Sequence, residues 1–345
     1  MRKTIFLIIA VVCLGLCGTT WISDRFLPGY EETVIYQPDD YSGKVVSTVV
    51  RHKTSAESSL GVLYVHGYND YFFQQQEGDT FVDSGYNFYA VDLRKYGRSL
   101  LKDQTPYEVR NISEYYPDID SAIHIMRGNG IDKVILMGHS TGGLVVASYM
   151  NRRPDSSVKA VILNSPFLEW NFSGFMRKIV IPVVSWIGGW WPRLAISQGD
   201  GTAYAESLLK QFHGEWQYDT SLKTIHPRKV TAGWIRAITR AQKALKEHSD
   251  IKVPVLLLHS DKTISGDEWT PAHQTGDAVL NVNDISELGR KLGPHVTEDV
   301  VAGGLHDLAL SAPAVRKVFY RDIFEWLDSI GLQPRAQLQT PTDAQ

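Results

Sequence analysis

The sequence is almost free of cysteine and has no large surplus of either charge. Its only two cysteines, Cys13 and Cys17, both lie before residue 20. The rest of the chain therefore excludes a disulfide framework, a thiolate zinc site and a cysteine nucleophile. Thirty-five basic residues against 38 acidic ones give a formal net charge of -3, so the chain has no basic surplus for binding nucleic acid.

Sequence motifs that hold cofactors or metals are absent as well. The chain contains no P-loop, no H-E-x-x-H and no G-x-G-x-x-G. We therefore expect no metal, no organic cofactor and no nucleic-acid partner. The composition is typical of a folded protein, with 43% hydrophobic and 21% charged residues. The length fits either two domains or one α/β domain with an insertion.

The N-terminus carries two positive charges followed by a long uncharged run. Arg2 and Lys3 precede residues 4–23, of which residues 5–16 are almost wholly apolar. This pattern is typical of an export signal, and about 20 apolar residues also suffice to span a bilayer. We expect residues 1–24 to be a retained membrane anchor or a cleaved signal. Either way, the positive-inside rule predicts an extracytoplasmic protein, membrane-anchored or secreted.

Beyond this segment, short β-branched runs alternate with segments of helical periodicity. Helical spacing marks residues 115–127, 144–150 and 315–326. Such alternation predicts βαβ units and a mostly parallel sheet flanked by helices, which is an α/β fold. We assign residues 25–330 to this domain and 331–345 to a polar tail. Strands are predicted at residues 45–50, 61–66, 87–92, 133–137, 159–163, 254–259 and 296–301.

One region interrupts this alternation. Between about residues 165 and 252 we find no convincing strand, and six of the nine tryptophans lie there. We interpret this stretch as a helical cap inserted above the sheet.

The strongest chemical motif is G-H-S-T-G at residues 138–142, which matches G-x-S-x-G. A predicted strand precedes it and a predicted helix follows it, as in a nucleophile turn. Bulky side chains beside so sharp a turn would clash, which explains Gly138 and Gly142. The turn lifts the hydroxyl of Ser140 clear of the sheet, and the helix N-terminus favours negative charge there. Ser140 is therefore the candidate nucleophile.

A serine hydroxyl needs a base to become an effective nucleophile. His306 lies in G-G-L-H-D at residues 303–307, after the last predicted strand and before the last helix. Loops at the carboxyl ends of parallel strands are where active sites form in such sheets. His306 is therefore the candidate base, ahead of His259 and His66.

The base in turn needs a carboxylate that fixes its tautomer and stabilises its cation. The chain order serine, acid, histidine points to the region after the strand at 254–259. Asp261 lies nearer the end of that strand, whereas Asp277 precedes a hydrophobic pair and a helix-like segment. We favour Asp277, with Asp261 as the alternative acid and Asp267 as a weaker one.

An oxyanion hole needs two backbone N–H donors. Thr141, the residue after the nucleophile, is expected to supply one. The second is expected from the segment after the strand at 61–66. There Gly67 allows close approach of the backbone, and the Tyr68 amide is the candidate donor.

These motifs together resemble the α/β-hydrolase superfamily, and within it the serine aminopeptidase S33 and monoacylglycerol lipase-like (lysophospholipase-like) group. The resemblance spans roughly residues 58–330 and implies an α/β-hydrolase fold with serine-hydrolase chemistry. The family's acid lies in an Asp-x-Val-Val-like segment that leads into a helix, which supports Asp277. The stretch 259–276 is longer than the family pattern. The resemblance rests on residues 66–67, 92–99, 138–142, 277–280 and 304–306.

The resemblance also implies that the cap selects the substrate. Trp170, Trp186 and Trp190 are the candidate substrate-binding residues, because an aromatic stripe can line an acyl pocket or contact a membrane surface. Together with the N-terminal segment, this favours a lipid-like carboxylic ester of the monoacylglycerol or lysophospholipid type. A membrane surface is then a further candidate partner, while no particular oligomeric state is predicted.

Two other functions stay open at this point. An S33-type peptidase would need an acidic residue to hold the free amine of its substrate, and the cap offers Glu169, Glu206 and Glu215. A non-catalytic binding protein on the same fold would have no need for a complete set of serine, aspartate and histidine.

Overall fold

The apolar runs of the sequence assemble into one mixed sheet. The computed structural model describes residues 19–197 and 199–334. The strands in chain order are β1 (Ile22–Ser23), β2 (Glu31–Asp40), β3 (Gly43–His52), β4 (Leu60–Val65), β5 (Asn87–Asp92), β6 (Lys133–His139), β7 (Val158–Asn164), β8 (Ala195–Ile196), β9 (Val230–Thr231), β10 (Val255–Ser260) and β11 (Val296–Val301). Nine of them form the sheet in the order β1-β2-β3-β5-β4-β6-β7-β10-β11, and β8 pairs with β9 separately.

The direction of the strands brings the predicted site residues to one edge of the sheet. Strands β5, β4, β6, β7, β10 and β11 are mutually parallel, whereas β1, β2 and β3 pair antiparallel. Val65 pairs with Gly138, and His139 pairs with Asn164. The loops that follow the parallel strands therefore meet at their common carboxyl edge, where sites form in open α/β sheets.

Helices cover both faces of this sheet. Helices α2 (Tyr116–Gly128), α3 (Thr141–Arg152) and α7 (Val282–Gly289) contribute buried residues to one hydrophobic cluster, and α1 (Gln75–Asp83) and α8 (Pro313–Ser329) contribute to a second. The insertion between β7 and β10 contains α4 (Ile181–Ile187), preceded by a π-helical turn, then α5 (Ala203–Leu208) and α6 (Ala232–Glu247).

The predicted α/β fold class is confirmed, and the seven predicted strands match observed ones to within two residues at each end. Strand β2 escaped prediction because its sequence, EETVIYQPDD, has four acidic residues and Pro38. Such residues are depleted in strands, and proline is confined to strand edges and bulges. The register of β2 against β3 shifts between Gln37 and Asp40, which accommodates the proline.

The ends of the folded domain differ from the predicted boundaries. Most of the predicted anchor, residues 1–18, lies outside the described residues, but Ile22 and Ser23 form β1 and the Asp24 carboxylate pairs with Arg98. At the other end Leu332 is buried and its carbonyl accepts a hydrogen bond from the Tyr86 hydroxyl. The domain therefore begins before residue 25 and continues past residue 330. Among the described helices, none is both long and apolar enough to cross a bilayer.

Candidate active site

Ser140 sits at a strained turn between β6 and α3. Its backbone has φ 53° and ψ -119°, a conformation that non-glycine residues rarely adopt. A side chain at Gly138 would lie 2.6 Å from the Gly142 carbonyl oxygen, and one at Gly142 would lie 2.2 Å from the carbonyl oxygen of Val65. Only glycine fits at these two positions, so the strand-turn-helix packing explains both glycines of the motif.

The structure brings Ser140, His306 and Asp277 into one hydrogen-bonded chain. The Ser140 Oγ lies 2.9 Å from His306 Nε2, and His306 Nδ1 lies 2.9 Å from Asp277 Oδ2. All three residues are buried. With Nδ1–H donating to the carboxylate, Nε2 is left to accept the serine proton, which is the arrangement of a nucleophile, its base and an orienting acid.

Asp277 is fixed by its own turn. Its second carboxylate oxygen, Oδ1, accepts hydrogen bonds from the backbone amides of Val279 and Leu280 at 2.8 and 2.7 Å. Its backbone N–H donates to the Lys262 carbonyl, and its own carbonyl accepts a hydrogen bond from the Ile264 amide; both partners lie in the stretch after β10. The carboxylate is therefore held in one orientation towards His306.

The two alternative acids lie elsewhere. Asp261 is exposed, and its carboxylate accepts a hydrogen bond of 2.8 Å from the Gly303 amide. It braces the loop that carries His306 and does not contact the imidazole. Asp267 is an exposed residue in the lining of the cavity. Of the three aspartates, the structure joins only Asp277 to the histidine.

The two predicted oxyanion donors, Thr141 and Tyr68, both line the cavity in front of Ser140. Thr141 is the first residue of α3, where backbone N–H groups have no partner within the helix. Among the described residues, neither the Thr141 amide nor the Tyr68 amide donates to a protein acceptor. Both donors are therefore free for an oxygen of the substrate.

A second set of polar residues links the serine turn to the histidine loop. The Asn164 carbonyl accepts the Ser140 amide at 3.0 Å, and the Asn164 side chain donates to the Asp307 carboxylate at 2.8 Å. The Gln74 amide donates to the other oxygen of Asp307 at 3.1 Å. The sequence analysis missed this network because Asn164, Gln74 and Asp307 are far apart in the chain and match no motif.

The charges around this network suit a histidine that becomes positive. Burial alone would raise the pKa of the Asp307 carboxyl, but His139, the Lys223 ammonium and hydrogen bonds from the Gln74 and Asn164 side chains hold that pKa below its usual value. Burial lowers the pKa of His139, whose ring centre lies 4.8 Å from that of His306. Burial therefore disfavours a second positive charge on the ring beside His306.

The site opens into a cavity of about 370 Å³, which lies within the size range of small-molecule sites. One wall is aromatic and apolar, and there Trp170 packs between Phe167 and Phe172 with ring centres 4.9 and 5.8 Å away. Other parts of the lining are polar. The apolar lining includes Phe167, Trp170, Phe172, Trp234, Val279 and Leu280, and the polar lining includes Asn69, Asp70, Tyr204, Tyr218, Lys223 and Thr224.

Of the three predicted substrate-binding tryptophans, one lies in the lining of the cavity. Trp170 lines the cavity, but Trp186 and Trp190 do not and are 62% and 69% exposed. They lie on an outward row of the cap, here called the cap stripe, because α4 packs its other face against α6. The cap stripe consists of Phe175, Ile179, Val183, Trp186, Trp190 and Trp191.

Comparison with known proteins assigns the family. Residues 56–310, about three quarters of the chain, match the family model described as serine aminopeptidase, S33. The chain is 24% identical over 205 residues to the monoacylglycerol lipase of Mycolicibacterium smegmatis. This alignment covers 58% of this chain and 69% of that protein. It is 22% identical over 205 residues to the phospholipase YtpA of Bacillus subtilis, which covers 58% of this chain and 74% of that protein.

A solved structure shares the fold at lower identity. A soluble variant of the monoglyceride lipase from Saccharomyces cerevisiae, solved with a substrate analogue, superposes with a TM-score of 0.60 at 16% identity. The match covers 87% of this chain and 96% of that one. The chain therefore belongs to the serine aminopeptidase S33 family of α/β-hydrolases, and it is a serine hydrolase of the lipase and esterase type.

Proposed function

We propose that this protein hydrolyses the carboxylic ester of a lipid-like substrate of the monoacylglycerol or lysophospholipid type. The observation that carries the proposal is the chain from Ser140 through His306 to Asp277 beside an apolar wall. The M. smegmatis relative is named a monoacylglycerol lipase and the B. subtilis relative a phospholipase, which supports the same substrate class.

The proposed reaction proceeds through an acyl-enzyme. His306 Nε2 takes the proton of Ser140 as its Oγ attacks the ester carbonyl carbon, and the Thr141 and Tyr68 amides hold the oxyanion. The bond to the leaving alcohol then breaks, and His306 gives that alcohol its proton. A water molecule next loses a proton to His306 and attacks the acyl carbon. Collapse of this second intermediate returns the proton to Ser140 and releases the acid.

The alternative as a peptidase has less support from the contacts of the cap. The acids that the sequence offered for holding a substrate amine are engaged elsewhere: Glu169 pairs with Lys246 and Glu215 with Arg316. Glu206 accepts a hydrogen bond from the hydroxyl of Thr202, four residues earlier in the chain. None of the three is among the described residues that line the cavity.

We further propose that the enzyme works at a membrane surface outside the cytoplasm. Trp186, Trp190 and Trp191 are 62%, 69% and 65% exposed on the cap stripe. Exposed aromatic side chains in one row, with the basic residue Lys178 also exposed among them, are typical of surfaces that insert into the interface of a bilayer. The apolar run at residues 5–16 would keep the protein at the same membrane.

Hydrolysis of p-nitrophenyl esters of increasing acyl length by the wild type and by Ser140→Ala tests the esterase function. We expect turnover that rises with chain length in the wild type. Removing the nucleophile should lower kcat by about 10⁴-fold or more, with an unchanged circular dichroism spectrum. Turnover of alanine p-nitroanilide but of no ester by the wild type would replace this proposal with the peptidase.

A further inference from the structure

The cavity contains an ion pair that the mechanism above does not use. Asp70 follows Tyr68 in the loop after β4, and Lys223 comes from the cap between α5 and β9. The Lys223 ammonium lies 3.1 Å from Asp70 Oδ1, and the two side chains are only 8% and 1% exposed. Both residues line the cavity that holds Ser140.

Hydrogen bonds between Asn69 and Thr224, here called the clamp, hold the segments that carry Asp70 and Lys223 together. Asn69 has a positive φ of 50°, and its side-chain oxygen accepts hydrogen bonds from the amide and the hydroxyl of Thr224 at 3.0 and 2.9 Å. Its side-chain nitrogen donates to the Thr224 carbonyl at 2.8 Å. Asn69 and Thr224, the neighbours of Asp70 and Lys223, are thus joined by three hydrogen bonds. These bonds fix the position of the ion pair between the loop and the cap.

The pair keeps hydrogen-bonding capacity that no described residue uses. Asp70 Oδ2 is buried without a partner among the described residues. The Lys223 ammonium has three N–H groups but makes one hydrogen bond there, to Asp70, and faces the rings of Tyr204 and Tyr218 at 5.9 and 5.8 Å. A buried ion pair of this kind contributes little to stability, and its unsatisfied atoms reduce stability further.

The pair lies near the group that protonates the leaving alcohol. The Tyr204 ring stands edge-on to the His306 ring with centres 5.6 Å apart, and the Lys223 ammonium lies 5.9 Å from the same Tyr204 ring. Tyr204 therefore lies close to both His306 and the ion pair. Since His306, Asp70 and Lys223 line the same cavity, the alcohol that His306 protonates leaves within the cavity that contains the pair.

We infer that Asp70 and Lys223 are specificity-determining residues that bind the leaving alcohol, and that this alcohol is an uncharged polyol with free hydroxyl groups. The inference rests on the proposed esterase function and narrows its substrate. A hydroxyl can donate to Asp70 Oδ2 while another accepts from Lys223, which satisfies both charges. An amine bound to Asp70 would also face the Lys223 ammonium, and a phosphate bound to Lys223 would also face the Asp70 carboxylate, whereas a hydroxyl meets no like charge.

Three esters with the same acyl chain test this inference on the full-length enzyme. They are 1-octanoylglycerol, n-propyl octanoate, which lacks only the two hydroxyls, and 1-octanoylglycerol 3-phosphate. We expect kcat/KM for the glycerol ester to exceed that for the propyl ester by about 30-fold or more, because unpaired buried polar groups discriminate strongly. The phosphate ester should be the slower of the two glycerol-based substrates.

The double variant Asp70→Asn/Lys223→Met removes both charges together, so no buried charge is left unpaired. In this variant the ratio of kcat/KM for the glycerol ester to kcat/KM for the propyl ester should fall from about 30 to less than about 5. The single variant Lys223→Met, if it folds, should show the same loss of preference. A melting temperature close to that of the wild type would show that the double variant is intact.

The possible results separate the inference from the function on which it rests. If the wild type cleaves all three esters equally, or cleaves the phosphate ester fastest, the inference fails while the esterase stands. If the double variant keeps the full preference for glycerol, Asp70 and Lys223 do not bind the alcohol. If the wild type cleaves none of the esters, the proposed function fails first.

Discussion

The serine turn and the cap are positioned by different means. At the turn, close backbone packing sets the position: a Cβ added at Gly138 or Gly142 would lie 2.6 or 2.2 Å from a carbonyl oxygen, and this packing holds the strained backbone of Ser140. The cap is joined to the body by side chains, such as the clamp between Asn69 and Thr224, and leaves the cap stripe exposed. The chemistry therefore depends on a rigid local turn, whereas substrate choice depends on contacts between distant segments.

Replacing each of the two candidate acids by asparagine gives the largest expected effect and tests which carboxylate orients His306. Asp277→Asn should lower kcat/KM on a soluble ester by about 10³- to 10⁴-fold, because the amide no longer stabilises the imidazolium or its tautomer. Asp261→Asn should cost less than about tenfold, since its side-chain oxygen can still accept the Gly303 amide. Steady-state kinetics of the two variants side by side are the measurement, and equal losses would contradict the assignment of Asp277.

The glycine contacts of the two regions can be compared in the same way. Gly142→Ala places a methyl group 2.2 Å from the Val65 carbonyl, and Gly188→Ala places one 2.2 Å from the Ala232 carbonyl between α4 and α6. Each should lower the free energy of unfolding by about 3 kcal/mol. Only the first should also abolish hydrolysis of a short soluble ester, because it displaces the turn that carries Ser140.

The control for these variants is Gly128→Ala at the end of α2. No atom lies within 4 Å of the added methyl group, and alanine favours a helix over glycine by up to about 1 kcal/mol. Urea unfolding and ester hydrolysis should therefore be unchanged or slightly improved. Full activity in folded Gly142→Ala would show that the turn tolerates more movement than its close contacts imply.

The serine turn and the cap also differ in how much of their structure can be predicted from the sequence. The serine turn was predictable because the strand, the glycines and the helix all lie within a few residues of Ser140. Asp277 and Asp261 could not be separated with certainty, since the long stretch after β10 folds back and only its path decides which carboxylate meets His306. Trp186 and Trp190 could not be assigned to the cavity or to the surface from sequence, because helical spacing shows that they share a face but not which side of the cap that face takes.

The two exposed tryptophans yield a prediction of their own. Trp186→Ser/Trp190→Ser should leave kcat/KM on a soluble short-chain ester unchanged but lower hydrolysis of a long-chain ester in anionic vesicles by about tenfold, because apolar ring surface no longer enters the bilayer. Trp170→Ala, which alters the cavity wall, should lower the activity on long-chain esters in both detergent and vesicles. Equal effects of the two variants in detergent would contradict the division between cap stripe and cavity.

The last prediction concerns a buried carboxyl in the body that has no hydrogen-bond partner among the described residues. Glu77 in α1 is buried, and neither of its carboxylate oxygens has a partner among the described residues. Burial, with the charges of Asp307 and Asp70, raises its pKa well above the usual 4.5. The folded state thus binds a proton that the unfolded state releases above pH 4.5.

This proton makes stability fall as the pH rises. Between pH 4.5 and the folded-state pKa, Glu77 should lower the free energy of unfolding by up to about 1.4 kcal/mol for each pH unit. Glu77→Gln should remove that slope, so its advantage in urea unfolding over the wild type should widen from pH 5 to pH 8. The matched control Glu287→Gln, at an exposed site whose pKa is lowered by Lys291, should show no such widening. A constant difference between Glu77→Gln and the wild type would mean that the buried carboxyl is ionised in the folded protein, and that an unseen partner stabilises its charge.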